Sequence, residues 1–237
     1  MSLLDDAIEI ETAPQPSATI IVLHGLGADG NDFVPFADQL RLQAVGPVRF
    51  VFPHAPVMPV TINNGWRMRA WYDILGTESQ RREDEAGLRS SLASVEALLA
   101  REESRGIESS RIVLAGFSQG GAMALQVGLR HAERLGAIVV LSAYLVLEPS
   151  LDTEASGANK LTPIFMAHGT EDPVIPLQLA EASRASLEKR GYRVQWGTWP
   201  MPHSVCAEEI AALSEFLGGI LEPASAGRLT SSSILLP

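Results

Sequence analysis

The chain has 237 residues, of which 46% are hydrophobic and 19% charged, so it carries enough apolar material for one sizeable core. Its net charge of −10 opposes binding to nucleic acid or to an anionic membrane surface, because both select a basic protein face. Cys206 is the only cysteine, which excludes an intrachain disulfide and fits a reducing compartment.

No segment of the sequence is expected to direct the chain into or across a membrane. Residues 1–10 are acidic where a signal peptide is basic. The most apolar stretch, residues 137–147, has 11 residues, too few to cross a bilayer. We therefore expect a cytoplasmic protein without stable membrane insertion.

The first third of the chain predicts three strands and one helix. Alternation at residues 8–11 indicates an edge strand, and the continuous apolar run at 19–23 indicates a buried strand, so we expect an N-terminal hairpin. A helix is expected within residues 31–42, followed by a strand at 48–52. Residues 53–77 are rich in Pro, Asn, Gly and Trp and predict a long ordered loop, a kind of segment that commonly carries function.

Helices and buried strands alternate along the rest of the chain. Strands are expected at residues 111–115, 137–142, 163–168 and 192–199, and helices at 83–105, 118–131, 176–190 and 206–221. This alternation predicts a single-domain α/β fold over residues 1–221, with a mostly parallel sheet and helices on both faces. Residues 222–237 are small and polar until a short apolar finish and predict a flexible C-terminal tail.

A candidate nucleophile lies in the pentapeptide Gly116-Phe117-Ser118-Gln119-Gly120, between a strand-like run and a helix-like run. This strand, turn and helix context makes G-x-S-x-G a nucleophile elbow, which holds the serine at a strained, exposed corner. Glycine is needed on both sides, because a Cβ there would strike the neighbouring strand or helix. The alternative is a glycine-rich turn with an incidental serine.

Asp172 and His203 are the candidates for the acid and the base that such a serine needs. A serine hydroxyl is a poor nucleophile near neutral pH, and an imidazole oriented by a carboxylate activates it. In α/β hydrolases the order along the chain is serine, acid, histidine, each after a later strand. Glu171 offers the same chemistry as Asp172, and Asp172 could instead serve only as an Asx turn before Pro173. None of the other four histidines follows the acid in the sequence (His24, His54, His131 and His168).

The oxyanion of an acyl-transfer intermediate is bound by backbone N–H groups. One donor is expected from Gln119, the residue after the nucleophile, and the other from Leu26 in the glycine-rich loop at residues 24–30. That loop could instead cradle a phosphate, but it lacks the lysine of a nucleotide-binding P-loop. The sequence contains no H-E-x-x-H motif or Cys/His cluster, so no metal and no other cofactor are expected.

With these residues in place, the sequence resembles the carboxylesterase and acyl-protein thioesterase family, also called the phospholipase/carboxylesterase family, of α/β hydrolases. The matching segments are Leu-His-Gly-Leu-Gly-Ala-Asp-Gly-Asn-Asp-Phe at 23–33, Phe-Pro-His-Ala-Pro at 52–56, Trp-Tyr-Asp-Ile at 71–74, Ala-Gly-Phe-Ser-Gln-Gly-Gly-Ala at 115–122, His-Gly-Thr-Glu-Asp at 168–172 and Pro-Met-Pro-His-Ser at 200–204. The resemblance implies Ser118 as nucleophile, Asp172 as acid, His203 as base, and Leu26 and Gln119 as oxyanion donors. It also implies hydrolysis of carboxyl esters or thioesters, with lysophospholipid or acyl-protein activity in some members.

An acyl chain needs an apolar groove, and the loop at residues 53–77 supplies apolar side chains (Met58, Ile62, Trp66, Met68, Trp71, Ile74 and Leu75). Trp71 and Leu75 are predicted to contact the acyl chain, and core packing is the alternative for each residue of this set. Asp73 is expected to bond loop backbone rather than to perform chemistry.

The expected partner is a small-molecule or lipid acyl ester or thioester, or an acylated protein, and a homodimer is left open. Two other classes of function fit the same pattern. One is a peptidase or acyltransferase on the same fold, which would share the triad and differ in the pocket. The other is a noncatalytic hydrolase-fold binding protein.

Overall fold

The computed structural model describes residues 6–76 and 82–222. The strands are β1 (Ile8–Glu11), β2 (Ala18–Leu23), β3 (Val48–Phe52), β4 (Val57–Val60), β5 (Trp66–Arg69), β6 (Ile112–Phe117), β7 (Ala137–Leu141), β8 (Ile164–Gly169) and β9 (Val194–Trp199). The α-helices are α1 (Phe36–Gln39), α2 (Glu85–Ser104), α3 (Gln119–Gly128), α4 (Leu151–Glu154), α5 (Leu177–Lys189) and α6 (Ala207–Leu221). Short 3₁₀ helices span Gly30–Phe33, Gln43–Val45, Thr61–Asn63, Ser109–Arg111, Glu148–Ser150 and Gly157–Leu161.

Seven strands form the central sheet in the order β1-β3-β2-β6-β7-β8-β9. Strand β1 is antiparallel to β3, and the other neighbouring pairs are parallel. Strands β2, β3, β7 and β8 are buried at every position, which explains why their sequences are mainly apolar and do not alternate between apolar and polar residues. The prediction of a mostly parallel α/β sheet is therefore confirmed.

Helices cover both faces of the sheet. One apolar cluster packs side chains of α2, α3 and α5, such as Leu98, Leu125 and Leu187, against the sheet. The other packs Phe36 of α1 and Phe216 of α6 against the opposite face. Two apolar layers on one sheet bury the strands from both sides, and the carboxyl ends of the parallel strands meet at one edge.

The predicted N-terminal hairpin is wrong, because β1 pairs with β3 instead of β2. Ile8 lies opposite Phe52, and Glu11 lies opposite Arg49, with which it forms an ion pair of 2.9 Å. Both sides of β2 are occupied by the parallel partners β3 and β6, so the edge open to an N-terminal strand is that of β3.

Two further predictions in the first third of the chain need correction. The helix expected within residues 31–42 is broken into a 3₁₀ turn, capped by the side chain of Asp29, and the short α1, because Pro35 separates them. The loop expected at residues 53–77 contains a hairpin of β4 and β5, turned through Asn64 and Gly65 at positive φ.

The four helices and four strands predicted after residue 77 lie within three residues of their predicted bounds, whereas the short α4 was not predicted. The expected C-terminal tail, apart from Glu222, lies outside the described residues, so the domain division stays a prediction. Among the described helices, none combines the length with the apolar character that a membrane span requires.

Candidate active site

Ser118 occupies a sharp bend between β6 and α3. Its φ of 54° and ψ of −120° are a backbone conformation that residues other than glycine rarely adopt. The backbone N–H of Ser118 donates to the carbonyl of Leu141 at 2.8 Å, which ties the bend to β7. A Cβ on Gly116 would lie 2.2 Å from the carbonyl oxygen of Gly120, so the first glycine of the motif is required sterically. The bend carries the serine to the edge of the sheet where the parallel strands end.

His203 bridges Ser118 and Asp172. Its Nε2 lies 2.9 Å from the Ser118 Oγ, and its Nδ1 lies 2.6 Å from Oδ2 of Asp172. A carboxylate can only accept hydrogen bonds, so Nδ1 carries the proton. Nε2 of the neutral ring therefore accepts a hydrogen bond from the serine hydroxyl. Asp172 follows β8 and His203 follows β9, so the parallel sheet brings together residues 85 positions apart. The three side chains form one hydrogen-bonded chain.

Asp172 also organises the turn that holds it. Its Oδ1 accepts the backbone N–H groups of Val174 at 2.8 Å and Ile175 at 2.9 Å. The buried imidazole of His168 donates through Nε2 to the carbonyl of Ile175 at 2.8 Å and lies 3.4 Å from Oδ2 of Asp172. The Asx turn considered from the sequence is thus present, and the second carboxylate oxygen is still free to bind His203.

The other histidines have partners elsewhere. His54 accepts the N–H of Gly30, and His131 lies against Glu96. His24 is fully buried, and this burial lowers its pKa below the ordinary value. Within residues 6–76 and 82–222, only His203 among the histidines forms a hydrogen bond with Ser118.

The two predicted oxyanion donors face the same cavity as Ser118. Leu26 and Gln119 both line it, and Gln119 is the first residue of α3, where the helix dipole favours negative charge. A Cβ on Gly25 would lie 3.3 Å from Cβ of Ser118, so the glycine loop passes directly beside the nucleophile. Neither the Leu26 nor the Gln119 N–H has a hydrogen-bond partner in the described part of the chain. The arrangement can therefore accept an oxyanion.

The cavity beside Ser118 has a volume of about 920 Å³. Most of its lining is apolar, and the residues expected from the 53–77 loop that contribute to it are Ile62 and Ile74. Further apolar lining comes from loops after other strands and was not predicted (Phe33, Phe36, Tyr144, Val146, Val174, Ile175 and Val205). Position in the segment that follows a parallel strand is the signal that could have found Tyr144 and Ile175.

The structure contradicts the predicted acyl contact of Trp71. This side chain is 1% exposed and lies in the core, where its indole N–H donates to the carbonyl of His24 at 2.8 Å. Leu75 is partly buried and does not line the cavity either. Asp73 accepts the backbone N–H of Thr61, and its expected role in bonding loop backbone is confirmed.

The described residues contain no cluster of three or more His, Cys, Asp or Glu side chains suited to a metal ion. With these side chains, the site can perform nucleophilic attack by a serine that an imidazole activates.

The chain is similar to known proteins over most of its length. The family model described as Phospholipase/Carboxylesterase matches residues 5–221. Acyl-protein thioesterase 1 of Neurospora crassa is 42% identical over 210 residues, which are 85% of this chain and 86% of that protein. Acyl-protein thioesterase 1 of Gibberella zeae is 40% identical over 220 residues, 89% of this chain and 94% of that one.

Solved structures of plant proteins share the fold of this chain. Arabidopsis thaliana SOBER1 superposes with a TM-score of 0.82 at 28% identity, over 86% of this chain and 99% of that one. Zea mays acyl-protein thioesterase 2 superposes with a TM-score of 0.79 at 26% identity, over 90% of this chain and 99% of that one.

Proposed function

This chain belongs to the phospholipase/carboxylesterase family of α/β hydrolases, and we propose that it removes acyl chains from protein thiols or lysolipids through an acyl-Ser118 intermediate. It is a serine hydrolase that acts on ester or thioester bonds. The observation that carries the residue assignment is the hydrogen-bonded chain of Ser118, His203 and Asp172 at the wall of an apolar cavity.

In the first step, Nε2 of His203 takes the proton of the Ser118 hydroxyl as Oγ forms a bond to the acyl carbonyl carbon. Asp172 holds the imidazole by its Nδ1–H and stabilises the imidazolium that results. The carbonyl oxygen becomes an oxyanion and accepts hydrogen bonds from the N–H groups of Leu26 and Gln119.

The intermediate then collapses, and the bond to the leaving sulfur or oxygen breaks as His203 donates its proton to that atom. The acyl group remains on Ser118 as an ester. A water molecule, deprotonated by His203, attacks this ester, and the proton returns to Oγ as the carboxylic acid leaves. The sum is hydrolysis, with the enzyme restored.

The substrate class follows from the cavity and from the relatives. The volume of about 920 Å³ lies within the roughly 300–1,000 Å³ of small-molecule sites, and the mainly apolar lining suits a hydrocarbon chain. The two relatives described above are acyl-protein thioesterases. Acylated proteins and lysolipids both present such a chain on a thioester or ester.

The proposal is tested by a rate profile across p-nitrophenyl esters of increasing chain length, with palmitoyl thioesters alongside. We expect kcat/KM to rise with chain length, and Ser118→Ala to lose several orders of magnitude while the protein stays folded. A fluorophosphonate should label the wild type and spare Ser118→Ala. An unlabelled wild type would favour the noncatalytic binding protein, and hydrolysis of peptides instead of esters would favour the peptidase.

The cytoplasmic location remains a prediction from the sequence, which leaves open whether the chain forms a homodimer. Fluorescence microscopy of the tagged chain in its host cells and sedimentation analysis of the purified protein test them.

A further inference from the structure

Trp71 forms hydrogen bonds to both segments that carry the proposed oxyanion donors. Its indole N–H donates to the carbonyl of His24 at 2.8 Å, and its backbone N–H donates to Oε1 of Gln119, also at 2.8 Å. The Ser91 hydroxyl donates to the Trp71 carbonyl. Each of these contacts is buried, so the tryptophan joins the glycine loop to the nucleophile elbow at a fixed place in the core.

His24 holds the next peptide unit of the same loop. Its Nδ1 donates to the carbonyl of Gly25 at 2.7 Å, and its Nε2 accepts the N–H of Ala55 at 3.0 Å. Its ring centroid lies 5.3 Å from that of Trp71. An acceptor at one ring nitrogen and a donor at the other select the neutral Nδ1–H tautomer.

The geometry of the peptide bond turns these contacts into an orientation for Leu26. The carbonyl of Gly25 and the N–H of Leu26 belong to one planar trans unit, so they point in opposite directions. A hydrogen bond that draws the Gly25 oxygen towards His24 therefore turns the Leu26 N–H the other way, and Leu26 lines the Ser118 cavity. The preceding unit is fixed in the same manner, because Trp71 holds the His24 oxygen.

We propose that Trp71 and His24 are positioning residues that aim the Leu26 N–H at the oxyanion. This inference rests on the proposed oxyanion role of Leu26. The two buried side chains do not touch the substrate, and they stabilise the transition state only through the orientation of the Leu26 N–H. A preorganised donor contributes more to catalysis than one that must reorient during the reaction.

The test uses two His24 variants that each keep one of its hydrogen bonds. The side-chain amide of asparagine overlays Nδ1, so His24→Asn keeps a donor to Gly25 and loses the acceptor for Ala55. The amide of glutamine overlays Nε2, so His24→Gln keeps the acceptor and loses the donor. Trp71→Phe removes the indole donor and keeps an aromatic ring. Thr19→Val is the control, because it removes a buried hydrogen bond, to Glu102, at the far end of β2.

For each variant, kcat and KM are measured with a p-nitrophenyl ester, and inhibition with an alkylboronic acid, which forms a tetrahedral adduct on the serine. Deleting an oxyanion donor costs roughly 10²–10³-fold in kcat, so misaiming one should cost about 10–100-fold. We expect this loss in His24→Gln and Trp71→Phe, with KM unchanged and boronate affinity falling in proportion. His24→Asn and Thr19→Val should stay near the wild type.

Equal losses in His24→Asn and His24→Gln, or an unchanged boronate affinity in Trp71→Phe, would overturn the proposal. Circular dichroism identifies the folded variants, and one folded member of the pair His24→Gln and Trp71→Phe is enough for the boronate comparison. If neither folds, the two residues are structural and the proposal fails. Failure of the proposed function is distinguishable, because the wild type itself would then resist fluorophosphonate labelling.

Discussion

A methyl group built on Gly120 would lie 2.1 Å from the carbonyl oxygen of Leu23, the last residue of β2. Gly120 is in the first turn of α3, so this helix begins in direct backbone contact with the strand that leads into the glycine loop. The nucleophile elbow and the proposed oxyanion loop are thereby held together by main-chain packing, and a backbone oxygen cannot rotate away as a side chain can.

Gly120→Ala is therefore expected to lower the free energy of unfolding by about 3 kcal/mol, the upper part of the range for overpacked sites. Gly219→Ala in α6 is the control, because its added Cβ has no described atom within 4 Å apart from the neighbouring backbone of its own helix. The control should raise stability by about 0.5–1 kcal/mol through helix propensity. Urea unfolding measures both, and equal effects at the two positions would contradict the steric argument.

His203→Ala should lower kcat/KM by about 10⁴-fold or more, because the base that activates the serine is lost. His131→Ala should leave kcat/KM near the wild-type value, since His131 lies against Glu96 and not against Ser118. Ester hydrolysis under saturating and limiting substrate measures the difference. Similar losses in the two variants would mean that the triad histidine is misassigned.

His131→Ala should nevertheless affect stability in a pH-dependent way. Burial opposes its charge, but the carboxylates of Glu96 and Glu103 outweigh burial and raise the pKa of His131 above the ordinary 6.5. The stabilisation by the imidazolium is then fully present below pH 6.5 and is lost as the pH rises through the raised pKa. Melting temperatures should show a larger deficit for the variant at pH 5 than at pH 9, and a uniform deficit would argue against this linkage.

Asp172→Asn should lower kcat by about 10³–10⁴-fold, because an amide can donate to the imidazole and favour the wrong tautomer. Glu171→Gln is the matched control, since Glu171 is the adjacent, exposed acid that the sequence alone could not exclude. Its kcat should be unchanged. A loss confined to Glu171→Gln would transfer the role of the acid to that residue.

Glu209 is buried in α6, and its carboxylate has no side-chain hydrogen-bond partner among the described residues. Burial raises its pKa to about 8 from an ordinary 4.5. The folded protein accommodates the neutral carboxyl better than the charged one. The contribution of Glu209 to the free energy of unfolding is therefore fully present below pH 4.5 and is lost as the pH rises through 8. Glu209→Gln should stabilise the protein on the order of a few kcal/mol at pH 9 and little at pH 5.

Thermal unfolding from pH 5 to pH 9 measures this effect. Glu215→Gln, at an exposed position of the same helix, is the control and should show no such trend. A parallel pH dependence of wild type and Glu209→Gln would show that another group is responsible.

Much of the fold and the candidate triad could be predicted from the sequence because the signals are local. Largely apolar runs mark most of the buried strands, and Ser118, Asp172 and His203 each lie in the segment that follows a predicted strand. Parallel strands end at the same edge, so these positions along the chain predict proximity in space. The bend at Ser118 requires glycine at nearby positions because a Cβ there would clash with backbone, so the glycine spacing is visible in a short stretch of sequence.

Two of the failed predictions concern residues that lie far apart in the sequence and meet only in the fold. The pairing of β1 depends on which sheet edge is open. The sequence around Trp71 fits groove lining and core packing equally well, and the position of its partner His24 decides between them. The sequence by itself determined the α/β architecture and the order of the triad residues, because periodicity and strand ends are properties of short segments. Only the tertiary structure decided the strand pairing at the edge, the lining of the cavity and the burial of Glu209, because these depend on packing between segments far apart in the chain.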